Sequence, residues 1–185
     1  MESAIFIGIS AGSLISMRMA ITHSARVDGI VALSSTSRTS SQAVLDAFAQ
    51  VYKIWTSTPI PSEEIMNVAI RGWGGDLDVH SDRCKIIKHD WQTRYNGEKN
   101  VEAIADCVNK RDDITAWLGD ITCPVLLIHG EKDLSWPFDE AKITKEGLPN
   151  AELQVIPGEG HMLIFARKAD DVNGMIWGFL KEQGY

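Results

Sequence analysis

Gly8-Ile9-Ser10-Ala11-Gly12 is the stretch that decides the fold, because of what flanks it. The apolar run Ala4-Ile5-Phe6-Ile7 has the length and composition of a buried strand. Beyond the stretch, Leu14, Ile15, Met17, Met19 and Ala20 follow without a Pro or Gly, as in a helix. A serine between two glycines at a strand-to-helix junction matches the nucleophile elbow, a sharp turn that holds one hydroxyl exposed above a sheet. So tight a turn predicts that a side chain at Gly8 or Gly12 would collide with neighbouring backbone. A glycine-bracketed turn without chemistry fits the same residues, so the rest of the chain has to decide.

Two further strand signals lie toward the other end. Val125-Leu126-Leu127-Ile128-His129-Gly130, introduced by Cys123-Pro124, opens into Glu131-Lys132-Asp133-Leu134-Ser135-Trp136-Pro137. Ala151-Glu152-Leu153-Gln154-Val155-Ile156-Pro157 ends in Gly158-Glu159-Gly160-His161. An acid and a histidine thus each follow a strand, downstream of the serine. The order Ser, Asp, His separates one triad-bearing architecture from the others.

These passages resemble the core and carboxyl-terminal part of an α/β-hydrolase of the esterase, lactonase and proline-iminopeptidase-like group. The elbow is similar to Gly8–Gly12, and His23-Ser24-Ala25-Arg26-Val27-Asp28-Gly29-Ile30-Val31 resembles the group's passage into its next strand. Cys123 to Asp133 resembles its acid strand, and Gly158-Glu159-Gly160-His161 its histidine loop. The resemblance implies Ser10 as nucleophile, Asp133 as orienting acid, His161 as base and the Ala11 N–H as one oxyanion donor. It calls for no cofactor and no metal. Members of the group also carry several strands and an oxyanion loop ahead of the elbow strand. No counterpart stands here, so the expectation is a shortened relative with a bare sheet edge.

Composition fits one globular domain. At 185 residues the chain can bury about 70% of its unfolded surface. The net charge of −7 comes without a basic cluster, which argues against nucleic acid or an anionic membrane as partner. Cys84, Cys107 and Cys123 are odd in number and lack metal-like spacing, as expected of reduced thiols in the cytoplasm. No signal peptide or membrane span is expected.

The expected architecture is a single α/β domain over 1–185. Its core, 1–37 and 120–185, is a mainly parallel sheet of about four strands flanked by helices. A helical cap covers about 38–119, where apolar residues fall at helical spacing and Pro59-Ile60-Pro61 and Gly72-Trp73-Gly74-Gly75 are breaks. A final helix is expected from about Ala166 to Lys181, with Val172, Met175, Ile176, Phe179 and Leu180 along one side.

A serine hydroxyl needs a base within hydrogen-bonding reach, and an imidazole, with an unperturbed pKa near ~6.5, can take its proton and return it to a leaving group. Glu131 and Asp139 rival Asp133. His23, His80, His89 and His129 rival His161, and His129 reads as a buried strand-end residue. Trp55, Trp73 and Trp136 are candidate substrate contacts, and Trp91, Trp117, Phe48, Tyr52 and Met66 could line the same apolar pocket. For each aromatic, simple packing is the competing account. The functional expectation is a serine hydrolase for an ester, lactone or similar small acyl compound. The alternatives are a non-catalytic remnant that binds a small ligand or a partner chain, and a lyase that reuses the triad. The bare edge predicts a homodimer joined along the first strand.

Overall fold

The computed structural model describes residues 2–94, 98–165 and 169–185. Four strands, β1 (Ala4–Ile9), β2 (Val27–Leu33), β3 (Val125–Gly130) and β4 (Ala151–Ile156), form one sheet in the order β1-β2-β3-β4, and every pairing is parallel. Phe6 stands beside Ile30, Ala32 beside Leu127 and Ile128 beside Gln154. The two central strands are apolar through 30–33 and 125–128 because both of their faces are covered there. Ile30, Ala32, Val125 and Leu127 face one side, where they pack with Met17 and Ala20 of α1 (Ala11–Thr22) and with Leu118. Val31, Leu33, Leu126 and Ile128 alternate to the other side. There they meet Val172 and Phe179 of α7 (Ala169–Glu182).

The edge strands differ from the centre. Among the described residues β1 pairs on one side only, and of its three isoleucines Ile5 and Ile9 pack against the α7-side core while Ile7 is 51% exposed. Within the helix expected from Ala166, residues 166–168 lie outside the described residues, and the described helix runs to Glu182.

Between β2 and β3 lie four helices, α2 (Gln42–Trp55), α3 (Glu63–Trp73), α4 (Asp82–Arg94) and α5 (Glu98–Asn109). Ser41 and Ser62 begin α2 and α3 by accepting hydrogen bonds from the Val44 and Ile65 amides, satisfying donors that a helix start otherwise leaves open. The insertion has its own apolar centre, built from Trp55, Ile65, Met66, Ala69, Trp91 and Val101. Trp91 meets the edge of Trp55 (centroids 4.9 Å apart) and stacks on Trp73 (5.7 Å), geometries that aromatic quadrupoles favour. Trp117, grouped with these residues on the sequence, sits elsewhere. It lies in a turn after the insertion, 45% exposed and beneath Arg18, because Ile114 and Leu118 on either side of it take the buried positions. Helix α6 (Phe138–Gly147) connects β3 to β4. Among the described residues no helix is long and apolar enough to cross a membrane, and no group of three or more His, Cys, Asp or Glu could hold a metal ion. All three cysteines are free thiols.

Candidate active site

Parallel strands deliver Ser10, Asp133 and His161 to one end of the sheet, beyond the carboxyl ends of β1, β3 and β4. Ser10 has the left-handed backbone expected of an elbow (φ 51°, ψ −114°), and its N–H donates to the Leu33 carbonyl across the strand gap (2.8 Å). A β-carbon on Gly8 would overlap the Gly12 backbone, so the strand side of the turn requires glycine. Gly12 does not behave as expected. A β-carbon there meets nothing within 4 Å, because it points away from the strand while the Gly12 backbone fills the space over Gly8. Ser13, which no sequence motif singled out, ties the turn down: its hydroxyl donates to the Gly8 carbonyl (2.8 Å) and lies 3.1 Å from that of Leu33. Ala11 is the first residue of α1, where an N–H has no acceptor within the helix and faces whatever stands before it.

The acid is held more rigidly than the serine. Asp133 Oδ1 accepts from the Ser135 and Trp136 amides (2.8 and 2.9 Å), and Oδ2 lies 2.9 Å from His161 Nδ1. The carboxylate is fully buried and the His161 ring is 15% exposed. An ionised carboxylate can only accept, so Nδ1 of His161 carries the proton and its Nε2 is left as an acceptor. The rival acids are engaged elsewhere: Glu131 accepts from the Gly158 amide, and Asp139 pairs with Lys142.

His129 is buried at the end of β3, as expected, but its surroundings could not be read from the sequence. Its Nε2 is 2.7 Å from the Trp136 carbonyl, which can only accept, and 3.6 Å from Asp133 Oδ2. Burial pushes the His129 imidazole below its ordinary value, more than the neighbouring Asp133 pulls it up. A neutral ring that donates to Trp136 therefore braces the same turn whose amides hold Asp133. Ser34 is the other unforeseen residue. It is buried at the end of β2 with a left-handed φ of 47°, and its N–H donates to the Ile128 carbonyl just as Ser10 donates to Leu33. No local pattern marks either feature.

Among the described residues His161 and Asp133 are paired, and no hydrogen bond joins Ser10 Oγ to them. The three tryptophans are separated as well. Trp55, 4% exposed, lines a cavity of about 520 Å³ with Tyr52, Val101 and residues 56–59, and none of Ser10, Asp133 and His161 is on its wall. Trp73 reaches the histidine loop through its carbonyl, which accepts from the Met162 amide (3.1 Å). Trp136 belongs to the Asp133 turn, and the Arg111 guanidinium lies 4.3 Å above its ring.

A family model described as serine aminopeptidase, S33 matches residues 2–168. Over 63 residues, 34% of the chain, the sequence is 38% identical to epoxide hydrolase 4 of Mus musculus, of which it covers 18%. Over 68 residues, 37% of the chain, it is 35% identical to the AB hydrolase superfamily protein YisY of Bacillus subtilis (strain 168), of which it covers 25%. The structure of a thermophilic esterase from Thermogutta terrifontis superposes with a TM-score of 0.80 at 20% identity, over 100% of this chain and 66% of that one. The aligned stretches thus span a quarter or less of the curated relatives, and the chain spans about two thirds of that esterase.

Proposed function

The chain belongs to the serine aminopeptidase, S33 family and has a partial α/β-hydrolase fold, and from that premise we propose that it is a serine hydrolase of the carboxylic ester type. Its substrate is an ester, a lactone or a similar small acyl compound. Ser10 Oγ attacks the carbonyl carbon as His161 Nε2 takes the hydroxyl proton, and the Ala11 N–H donates to the oxyanion that forms. Collapse expels the alcohol, which receives that proton from His161, and leaves an acyl-serine. Water then attacks the acyl carbon, gives its proton to the same nitrogen, and the acid departs as Ser10 regains its hydrogen. Asp133 holds the imidazole in the one tautomer that permits this and stabilises the cation formed on the way. The observation that carries the reading is the 2.9 Å pair between buried Asp133 and His161 at the same sheet end as left-handed Ser10.

Helices α2–α5 act in this reading as a cap over the site, with Trp73, which holds the histidine loop, as the aromatic contact for the substrate, while Trp55 and Trp136 serve packing. Three free thiols support a cytoplasmic setting. The one-sided pairing of β1, with Ile7 exposed, supports a second copy of the chain as partner along that edge.

One observation favours a second reading. Among the described residues no hydrogen bond joins Ser10 Oγ to His161, as a non-catalytic remnant would allow, although catalytic hydrogen bonds are often loose until substrate binds. Labelling by a fluorophosphonate separates the two. A catalytic Ser10 is modified at that residue by mass spectrometry, and an unlabelled, folded protein sinks the hydrolase reading.

A further inference from the structure

We propose that the Trp73–Asp76 turn of the helical insertion is a positioning element for His161, so that the insertion sets the orientation of the base. The inference rests on the hydrolase reading for its consequence and on separate geometry for its substance. Beyond β4 the chain leaves the sheet, and the backbone groups of 157–162 need partners that no strand ladder supplies. The core supplies some of them: Glu131 accepts from the Gly158 amide (2.9 Å), and the Glu159 carbonyl accepts from the Lys132 amide (2.8 Å). The insertion supplies others. Gly75 and Glu159 form an antiparallel bridge, the Gly158 carbonyl accepts from the Asp76 amide (3.3 Å), and the Trp73 carbonyl accepts from the Met162 amide (3.1 Å).

The residues on both sides of His161 therefore touch this one turn. A β-carbon on Gly160 would overlap the Gly75 nitrogen and the Trp73 carbonyl oxygen, and one on Gly75 would stand 2.6 Å from the Gly160 nitrogen. From the other side the loop presses on β3, where a β-carbon on Gly130 would overlap the Gly160 carbonyl oxygen. Three glycines thus let three backbones meet behind the base. Gly75 also needs its left-handed φ of 61°, which a side chain disfavours. Lys132 closes the junction by pairing with Asp76 (2.8 and 3.0 Å). That pair is about half exposed on each side, so it adds little beside the backbone interlock.

Gly75→Ala is the sharpest test, with Gly72→Ala as its control because a β-carbon on Gly72 meets nothing within 4 Å. The readouts are the downfield proton resonance of His161 Nδ1–H, which reports its bond to Asp133, and the separate values of kcat and KM. In folded Gly75→Ala the resonance should shift or vanish, and kcat should fall by about 100-fold at nearly constant KM, as for a misplacement near 1 Å. Gly72→Ala should match the parent in both. If Gly75→Ala does not fold, Gly75→Asn takes its place, because asparagine accepts a left-handed φ more readily while its β-carbon still meets the Gly160 nitrogen: the resonance should again shift or vanish. An unchanged resonance in folded Gly75→Ala, or in Gly75→Asn where Gly75→Ala is unfolded, overturns the inference. Absent fluorophosphonate labelling of the parent overturns the hydrolase reading alone, because the resonance is measured without turnover.

Discussion

The sheet and the helical insertion solve the burial problem differently. The sheet hides aliphatic runs between two helical layers, and its strand ends hold Ser10 and Asp133 by main-chain hydrogen bonds: Leu33 to Ser10, and Ser135 and Trp136 to Asp133. The insertion hides tryptophans against one another, and the buried indole nitrogens of Trp55 and Trp91 have no hydrogen-bond partner among the described residues. Geometry set by main-chain bonds tolerates little movement, which suits chemistry. Packing of large rings tolerates exchange of one apolar shape for another. The two regions meet at the Trp73–Asp76 turn, where Gly75 bridges Glu159 of the histidine loop.

The largest expected effect tests the rigid side. Ser10→Ala should abolish fluorophosphonate labelling completely while the circular dichroism spectrum stays that of the parent; labelling that persists elsewhere on the chain moves the nucleophile. Next, Asp133→Asn should lower kcat by up to about 10,000-fold with KM little changed, because the amide cannot hold the productive tautomer. Steady-state kinetics with a chromogenic ester decides it, and equal activity in both proteins ends the role given to Asp133.

The aromatic side is tested by stability. Trp55→Ala should cost about 3–5 kcal/mol, the usual range for emptying a buried aromatic site. Hydrogen exchange should speed up mainly in α2–α5, with β2 and β3 still protected. Uniform loss of protection would mean that the two regions unfold as one and that the contrast between them fails.

A smaller effect concerns pH. Burial lowers the folded-state pKa of His129 beneath its unfolded value near 6.5, so below that pH the unfolded chain binds more protons than the folded one. Stability should therefore decline as pH falls from about 6.5 toward the lowered folded value, and level off beneath it. In His129→Asn this part of the slope should disappear, as read from urea midpoints between pH 7 and pH 5. Parallel slopes would show that His129 is not the group responsible. The smallest effect is at the edge of the sheet. If a second copy pairs along β1, light scattering should give a dimer for the parent and a folded monomer for Ile7→Lys, whose side chain is already half exposed. A parent that stays monomeric over a wide concentration range removes that partner.

Much of the fold was legible because it rests on local patterns. Val27–Leu33 and Val125–Gly130 stand out as strands since a strand covered on both faces carries a continuous apolar run, here 30–33 and 125–128. Gly8 could be foreseen as a close approach. Gly12 could not be excused from the same expectation, since two glycines flanking a serine look alike until the direction of each missing side chain is known. Trp117 misled for a related reason: an aromatic residue carries no sign of which cluster it joins.

The sequence by itself determined the order of strands and helices, the serine at a sharp turn, and the placing of an acid and a histidine after later strands. These follow from composition and spacing over a few residues. Only the tertiary structure selected Asp133 over Glu131 and Asp139 as the partner of His161, brought His129 to the same carboxylate, and set the insertion's glycine turn against the loop that carries His161. Each of these depends on the distance between segments far apart in the chain. Such distances are set by how the strands pack and where the loops cross, which no run of neighbouring residues encodes.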